Sequence, residues 1–234
     1  MVQKCSMVIP ELTATLKEKK HLTPDVVLLS FAVPSSLSFQ AGQYAIMKIM
    51  NGTDFRWKSY SILNPPSEKG KLDLCIKLIS GGFASEAFRL MEVGTTLSFR
   101  GPLGHLTFDE TSDEHWFIAN GTGVVPFYSM IMEYVPKHPQ KKCTLIFGVR
   151  SKEDLFLHQE LQELAAQYPH FTYIPTLSRD AWEGSMGRVQ IHLPKDMQDK
   201  TFYICGLKEM VLETQELLLS KGVAKEKVRV ERYT

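Results

Sequence analysis

The hydrophobic pattern of this 234-residue chain changes near residue 110. Before that point polar and apolar residues alternate, and segment 71–78 is the clearest case, with an apolar residue at every even position. A period of two is typical of a half-buried strand. After that point, short apolar runs such as 116–119 alternate with stretches of helical spacing. The polar segment 109–114 separates the two patterns.

These patterns predict a two-domain β + α/β protein. Residues 1–110 carry short strands with Gly and Pro turns, which indicates an antiparallel barrel or sandwich. Residues 111–234 alternate strand and helix, which indicates a parallel sheet with helices on both faces. Small ligands bind in clefts between domains and at the carboxyl ends of parallel strands. We therefore expect the functional site at one of these places.

Composition and spacing exclude several classes of function. The formal net charge is +1, so there is no overall attraction to nucleic acid or to acidic membranes. The four cysteines, at positions 5, 75, 143 and 205, are too widely spaced for a zinc site or a 2Fe–2S cluster. The sequence also contains no paired-histidine motif and no P-loop. We expect no metal and no nucleic-acid partner.

Similar arguments predict the cellular compartment of the protein. No apolar run approaches 18 residues, so we expect no membrane span. Residues 1–10 lack the long apolar core of a secretory signal. Few, widely spaced cysteines fit reduced thiols in the cytoplasm. The oligomeric state stays open.

The segment from Lys58 to Ser61 places a cation, an aromatic ring and a hydroxyl within four residues. In an extended chain Lys58 and Tyr60 point to one side, and Ser59 and Ser61 point to the other. A flavin needs such neighbours, namely a flat ring, a hydrogen-bond donor near N5 and a cation for its phosphates. The alternative is a barrel strand with a packed tyrosine and a surface lysine.

Three glycine turns are candidates for binding phosphates or a coenzyme. Segment 81–85 opens a predicted helix, and the free N–H groups of a helix N-terminus bind anions. Segment 121–123 stands between an apolar strand and a helix, which is the context of a dinucleotide-binding turn. At 205–206 a thiol ends a strand and can lie against a nicotinamide ring. The alternatives are a plain turn capped by Ser85 and a small buried residue at Cys205.

Six segments, in the same order, resemble motifs of the ferredoxin–NADP reductase superfamily, and they extend over nearly the whole chain. They are Phe39-Gln40-Ala41-Gly42-Gln43-Tyr44, Lys58-Ser59-Tyr60-Ser61, Gly82-Phe83-Ala84-Ser85, Gly101-Pro102-Leu103-Gly104, Gly121-Thr122-Gly123-Val124-Val125-Pro126 and Cys205-Gly206-Leu207-Lys208-Glu209-Met210. The second resembles the family's Arg-x-Tyr-Ser flavin motif, and the fifth its Gly-Thr-Gly-x-x-Pro nucleotide turn. The resemblance implies an antiparallel Greek-key β-barrel that binds FAD in residues 1–110. A parallel-sheet, Rossmann-like NAD(P)-binding domain follows in residues 111–234.

The resemblance also implies roles for individual residues. The predicted catalytic residues are Ser61, Cys205 and Tyr233. The predicted cofactor-binding residues are Lys58, Ser59, Tyr60, Ser61, Ile76, Lys77, Leu78, Gly81, Gly82, Phe83, Ala84, Ser85, Gly121, Thr122, Gly123, Arg150, Ser178, Arg179, Arg188, Cys205 and Gly206. Within this set, Tyr60 flanks the flavin, segment 82–85 holds the FAD pyrophosphate, and Cys205 helps to place the nicotinamide.

Three positions depart from the family pattern or leave it open. Lys58 stands where the family has arginine, so the charge is kept but the bidentate fork is lost, and Arg56 is the residue that could share the contact. Asn120 stands where a small residue is expected, and the sequence gives no reason for it. Tyr233 is either the family's aromatic over the flavin or part of a frayed tail.

The activity that the resemblance implies is hydride transfer from NAD(P)H to FAD, followed by electron transfer to a separate acceptor. Because no iron–sulfur motif is present, we expect an external acceptor such as a ferredoxin, a flavodoxin or an oxygenase component. Two alternatives remain, a free-flavin reductase and an electron-transfer subunit that is inactive without a larger complex.

A coenzyme preference is also predicted. Ser178-Arg179 follows the third strand of the second domain, and Arg188 follows nine residues on. In the family such an arrangement marks the pocket for the 2′-phosphate of NADPH. Asp180 keeps NADH open, because an acidic residue here accepts hydrogen bonds from ribose hydroxyls. The other interpretation is two solvated surface arginines.

Overall fold

The computed structural model of the protein describes residues 10–233. The first half forms a six-stranded antiparallel sheet in the order β4-β3-β6-β1-β2-β5. Its elements are β1 (Glu11–Thr23), β2 (Val26–Ala32), β3 (Tyr44–Asn51), β4 (Asp54–Ser61), β5 (Lys71–Lys77), α1 (Phe83–Leu90) and β6 (Thr96–Leu103). A bridge between Ile62 and Leu74 joins the two edges of the sheet. The sheet thereby closes into the predicted Greek-key barrel.

The alternation in the sequence explains the core of this barrel. Successive side chains of a strand point to opposite faces, and on β3 Ala45, Met47 and Ile49 are fully buried at every second position. Phe88 of α1 is also fully buried and packs in the same cluster. Helix α1 therefore covers one side of the barrel core.

The second half forms a six-stranded parallel sheet in the order β10-β9-β8-β7-β11-β12. Its elements are β7 (Glu114–Asn120), α2 (Val125–Tyr134), β8 (Lys142–Val149), α3 (His158–Gln167), β9 (Phe171–Leu177), β10 (Ser185–Met186), β11 (Lys200–Leu207), α4 (Lys208–Ser220) and β12 (Val228–Tyr233). Helices α2 and α3 pack with one apolar cluster and α4 packs with another, so both faces of the sheet are covered. The predicted fold class is confirmed in both halves.

Two polar contacts fasten α2 to the barrel. The Ser129 hydroxyl donates to the carbonyl oxygen of Asn64 at 2.9 Å, and the N–H of Ser67 donates to the Glu133 carboxylate at 3.1 Å. Gly42 allows a close approach at the same junction, because a Cβ there would lie 2.2 Å from the Cε of Met130 in α2. The two halves are thus in direct contact, and a domain boundary at 110/111 stays a prediction.

The segment that joins the halves is held by the parallel sheet. The N–H of Asp109 donates to the Tyr203 hydroxyl at 2.8 Å, and Arg229 donates to the carbonyl oxygen of Thr107 at 2.8 Å. His115 stacks on Phe108 with ring centroids 4.2 Å apart. These contacts fix the position at which the chain passes from the barrel into the parallel sheet.

Within residues 10–233, no helix has the length and apolar character needed to cross a membrane. In the same part of the chain, no cluster of three His, Cys, Asp or Glu side chains is placed to hold a metal ion.

Candidate functional site

The end of β4 meets the end of β12, although 170 residues separate them along the chain. The Ser61 hydroxyl donates to the Glu231 carboxylate at 3.3 Å, and its oxygen lies 3.3 Å from the Tyr233 hydroxyl. The Tyr233 hydroxyl in turn donates to the carbonyl oxygen of Thr122 at 3.2 Å. Residues from the barrel, the β7 turn and the last strand therefore meet at one point.

Tyr233 is the last residue of β12 and its register partner on β11 is Leu207. The frayed-tail interpretation of Tyr233 is therefore wrong. Burial is the main reason why the pKa of its hydroxyl is raised well above the ordinary value, so this hydroxyl stays protonated over the working range. It can donate a hydrogen bond but does not carry a charge.

Cys205 is fully buried in β11. Burial raises the pKa of its thiol, and the nearby Glu231 carboxylate acts in the same direction. The thiol is therefore neutral and a weak nucleophile. The register partner of Cys205 on β12 is Glu231, so the two side chains share a face, and the thiol can contribute size and position but no charge.

Glu231 is a site residue that the sequence did not single out. It lies two residues before Tyr233 on β12, so the two side chains share a face. Burial raises the pKa of the Glu231 carboxyl, and the hydrogen bond from Ser61 partly offsets this. The Glu-x-Tyr spacing on a terminal strand was the available signal, but nothing in the sequence ties it to Ser61.

The cations of β4 lie on the face of the strand that is turned toward α1. Lys58 and Arg56 pair with the buried residues Met47 and Ile49 of β3, and paired residues of antiparallel strands share a face. The Arg56 guanidinium lies 4.4 Å from the ring centroid of Phe83, the first residue of α1. Arg56 is thus placed to supply the second cation that the sequence left open.

Tyr60 lies on the same face of β4, with its ring edge-on to Phe88 at a centroid distance of 5.5 Å. Burial raises the pKa of its hydroxyl. Ser59 pairs with Ile46 and its side chain points to the opposite face, so only its backbone can reach a ligand held by Lys58 and Tyr60.

The N-terminus of α1 has free hydrogen-bond donors. Gly82 is the N-cap and makes no side-chain cap, and the first helical bond runs from the N–H of Glu86 to the carbonyl oxygen of Gly82. The N–H groups of segment 83–85 therefore lack helical acceptors. Ser85 is not the N-cap, because its hydroxyl accepts the N–H of Ile79 at 2.8 Å. Donors without acceptors beside two cations fit a pyrophosphate.

At the end of β5, mainly backbone groups can reach a ligand at the N-terminus of α1. Ile76 and Leu78 are buried in the barrel core, and the Lys77 ammonium is paired with the Asp25 carboxylate at 2.6 Å. Gly81 follows in a left-handed conformation, with φ +69°, which turns the chain into α1.

The turns after β7 and β11 touch each other. A Cβ on Gly123 would lie 2.1 Å from the carbonyl oxygen of Cys205, so a side chain at this position cannot be accommodated. Gly121 has φ +52° and Gly206 has φ +147°, which glycine adopts readily. The glycines thus allow two strand ends to form one continuous surface at the carboxyl edge of the sheet, where nucleotides bind.

Asn120, which the sequence left unexplained, joins these two turns. Its Oδ1 accepts the N–H of Leu207 at 2.9 Å. A small residue at this position has no atom that can make the bond.

Arg179, predicted together with Arg188 for the 2′-phosphate, lies at a strand end next to that of Arg150, which is predicted only as a cofactor-binding residue. The N–H of Arg179 donates to the carbonyl oxygen of Arg150 at 3.0 Å, and the Ser178 hydroxyl donates to the carbonyl oxygen of Val149 at 3.2 Å. Both arginine side chains are exposed. Arg188 follows β10 and forms an ion pair with Glu213 of α4 at 3.0 Å, so its charge is partly compensated.

Comparisons with known proteins agree with this arrangement. Residues 13–108 match the family model of the oxidoreductase FAD-binding domain, and residues 117–216 match that of the oxidoreductase NAD-binding domain. Ferredoxin–NADP reductase B of Sorangium cellulosum is 34% identical over 94% of this chain and 96% of its own length. The chain belongs to the ferredoxin–NADP reductase superfamily.

Two further matches extend the comparison. The electron transfer component of the xylene/toluene monooxygenase of Pseudomonas putida is 28% identical over 95% of this chain, which spans 65% of that protein. A ferredoxin NADP+ reductase structure from Neisseria gonorrhoeae with bound FAD and NADP has the same fold, with a TM-score of 0.85 and 24% identity over 95% of this chain and 98% of that chain. The chain is thus an NAD(P)H-dependent flavoprotein oxidoreductase that passes electrons to an external acceptor.

Proposed function

We propose that this reductase holds FAD along β4 and α1, receives the nicotinamide of NADPH at the ends of β7 and β11, and reduces a separate redox protein. The observation that carries the proposal is the meeting of Ser61, Glu231 and Tyr233 at one point, with Cys205 as the register partner of Glu231. This meeting point connects the proposed flavin site with the proposed coenzyme site.

FAD, when bound, supplies the chemistry, because it accepts a hydride from NAD(P)H and can release electrons singly. The protein supplies binding and orientation. Arg56 and Lys58 would face the pyrophosphate together with the N–H groups of segment 83–85, and Tyr60 would lie against the ring. Opposite charge and unsatisfied donors are the physical basis of this assignment.

The Ser61 hydroxyl would lie at the reacting edge of the flavin, with Glu231 orienting it. Ser61 donates to the Glu231 carboxylate at 3.3 Å, so the ionised carboxylate orients the serine proton, whereas a protonated carboxyl could also donate to the serine oxygen. Cys205 and Tyr233, both neutral, would set the position of the nicotinamide by contact.

For the acceptor we propose a one-electron redox protein, namely a ferredoxin, a flavodoxin or an oxygenase component. The support is the similarity to proteins that carry such names and the lack of an iron–sulfur motif in the sequence. We also propose a division into domains 1–110 and 111–234. A reducing compartment such as the cytoplasm is proposed from the free, buried thiols of Cys75, Cys143 and Cys205.

The acceptor is tested by turnover of the purified holoenzyme with NADPH. The proposal expects reduction of a ferredoxin or flavodoxin at low micromolar acceptor, and slower reduction of added free flavin. If free FMN or FAD is reduced faster than every protein acceptor, the chain is a free-flavin reductase. The two cations beside α1 favour a bound flavin over a flavin that leaves as product.

A further inference from the structure

The side chain of Asn120 lies between the two turns that form the proposed coenzyme surface. Asn120 is the last residue of β7, and its Oδ1 accepts the N–H of Leu207 on the neighbouring strand β11 at 2.9 Å. Leu207 is also the N-cap of α4, which makes no side-chain cap of its own. One amide oxygen therefore fixes both the β11 turn and the start of α4.

The fit around this amide is close. A Cβ on Gly206 would lie 1.9 Å from Asn120 Oδ1, so Gly206 must be glycine for the asparagine to occupy its place. On the other side, Gly123 approaches the carbonyl oxygen of Cys205. The relative position of the two turns is thus set by glycine contacts and by the Asn120 side chain together.

We propose that Asn120 is a positioning residue, which holds Cys205 and Gly206 against the 121–123 turn and so sets where the nicotinamide lies relative to Ser61. The inference rests on the coenzyme side of the proposed function. Its physical reason is that alanine or glycine at this position leaves the Leu207 N–H without the oxygen that now accepts it. The β11 turn can then shift, and displacements of about 1 Å are enough to slow a reaction between bound partners.

The hydrogen bond itself is tested by amide hydrogen exchange of Leu207 in the full chain, measured by NMR. Asn120→Ala is expected to speed this exchange at least about 5-fold, the effect of losing one hydrogen bond. Asn120→Asp keeps an acceptor oxygen and is expected to exchange like the parent. The amide of Ile204, within β11, serves as the internal control and is expected to be unchanged in both variants.

The positioning role is tested by rapid-reaction measurement of flavin reduction at saturating NADPH. Asn120→Ala is expected to reduce its flavin on the order of 10-fold more slowly, with a smaller change in the Kd for NADP+, because the arginines proposed to hold the 2′-phosphate lie at other strand ends. Asn120→Asp is expected to retain most of the rate.

Two results would overturn the inference. One is unchanged Leu207 exchange in Asn120→Ala. The other is faster exchange with a parental rate of flavin reduction, which would make Asn120 a purely structural residue. A parent chain that no coenzyme reduces would instead refute the proposed function, and the exchange experiment would still decide whether Asn120 holds the turn.

Discussion

At the scale of single residues, the candidate site contains groups that burial keeps neutral. The thiol of Cys205 and the hydroxyl of Tyr233 both have raised pKa values because they are buried. Neither group can act as an anion at neutral pH. They can contribute shape and hydrogen bonding, whereas the Glu231 carboxylate is the acidic group that accepts a hydrogen bond from Ser61.

Replacing Cys205 with alanine should therefore slow hydride transfer more than it weakens coenzyme binding. Loss of the thiol leaves space beside the proposed nicotinamide position, and misplacement costs up to about 10²-fold in rate. Stopped-flow flavin reduction at saturating coenzyme measures the effect. Cys143→Ala, a buried thiol of β8, is the matched control. If both variants react at the parental rate, Cys205 is only a packing residue.

Replacing Glu231 with glutamine should remove a pH dependence from the rate of flavin reduction. Burial raises the pKa of this carboxyl, so in the parent it takes up a proton at a pH above the ordinary range for glutamate, and it can then donate to Ser61 as well as accept from it. The parent should show an inflection in the rate of flavin reduction against pH, and Glu231→Gln should not. The control is Glu226→Gln, an exposed glutamate. An identical profile in parent and Glu231→Gln would argue against the link.

At the scale of elements, strand ends and helix starts carry the binding groups. The ends of β8 and β9 bring Arg150 and Arg179 together through a backbone bond of 3.0 Å, while Arg188 is paired with Glu213. The three arginines are therefore not equivalent, although the sequence gives Arg179 and Arg188 the same role.

This difference predicts an order of effects on coenzyme choice. Arg179→Ala should lower kcat/KM for NADPH by about 10-fold or more, the value of a charge-assisted hydrogen bond, and should spare NADH. Arg188→Ala should lower it less, because Glu213 already holds that guanidinium. Steady-state kinetics with both coenzymes measures this, with Lys221→Ala as an exposed control. Equal use of NADPH and NADH by the parent would refute the proposed preference.

Much of this arrangement could be predicted from the sequence, because local motifs carry it. The alternation in 71–78 predicted β5. The glycine turns at 81–82 and 121–123 predicted the start of α1 and the turn after β7. Contacts between distant segments could not be predicted. The bond from Asn120 to Leu207 and the contact of Ser61 with Glu231 depend on which strands become neighbours, and spacing along the chain does not contain that information.

At the scale of the whole molecule, the two halves are held in one arrangement by the segment between them. His115 is fully buried; one ring nitrogen lies 3.0 Å from the carbonyl oxygen of Ser112 and must donate to it. The other lies 3.3 Å from the Tyr203 hydroxyl and accepts from it. The ring is therefore neutral in the folded protein, and burial lowers the pKa of His115 to about 4.

Stability should consequently fall as the pH drops below about 6.5. The unfolded chain binds a proton at His115 near pH 6.5, whereas the folded chain does so only near pH 4, so acid favours unfolding in this window. Between pH 7 and pH 5 the loss from this group is about 2 kcal/mol. Urea unfolding at both pH values measures it, with His115→Phe as comparison. Between the two pH values, the free energy of unfolding should fall by about 2 kcal/mol more in the parent than in the variant. An equal fall would mean that protonation of His115 does not cause the loss of stability.

Binding of FAD and its reduction by NADPH within this one chain is the proposed function. The most direct measurement is an anaerobic absorption experiment on the purified protein, with mass analysis of the flavin that is released. We expect a yellow protein that releases FAD and whose visible absorption is bleached by NADPH within seconds. A colourless protein, release of FMN alone, or a flavin that NADPH does not bleach would contradict it.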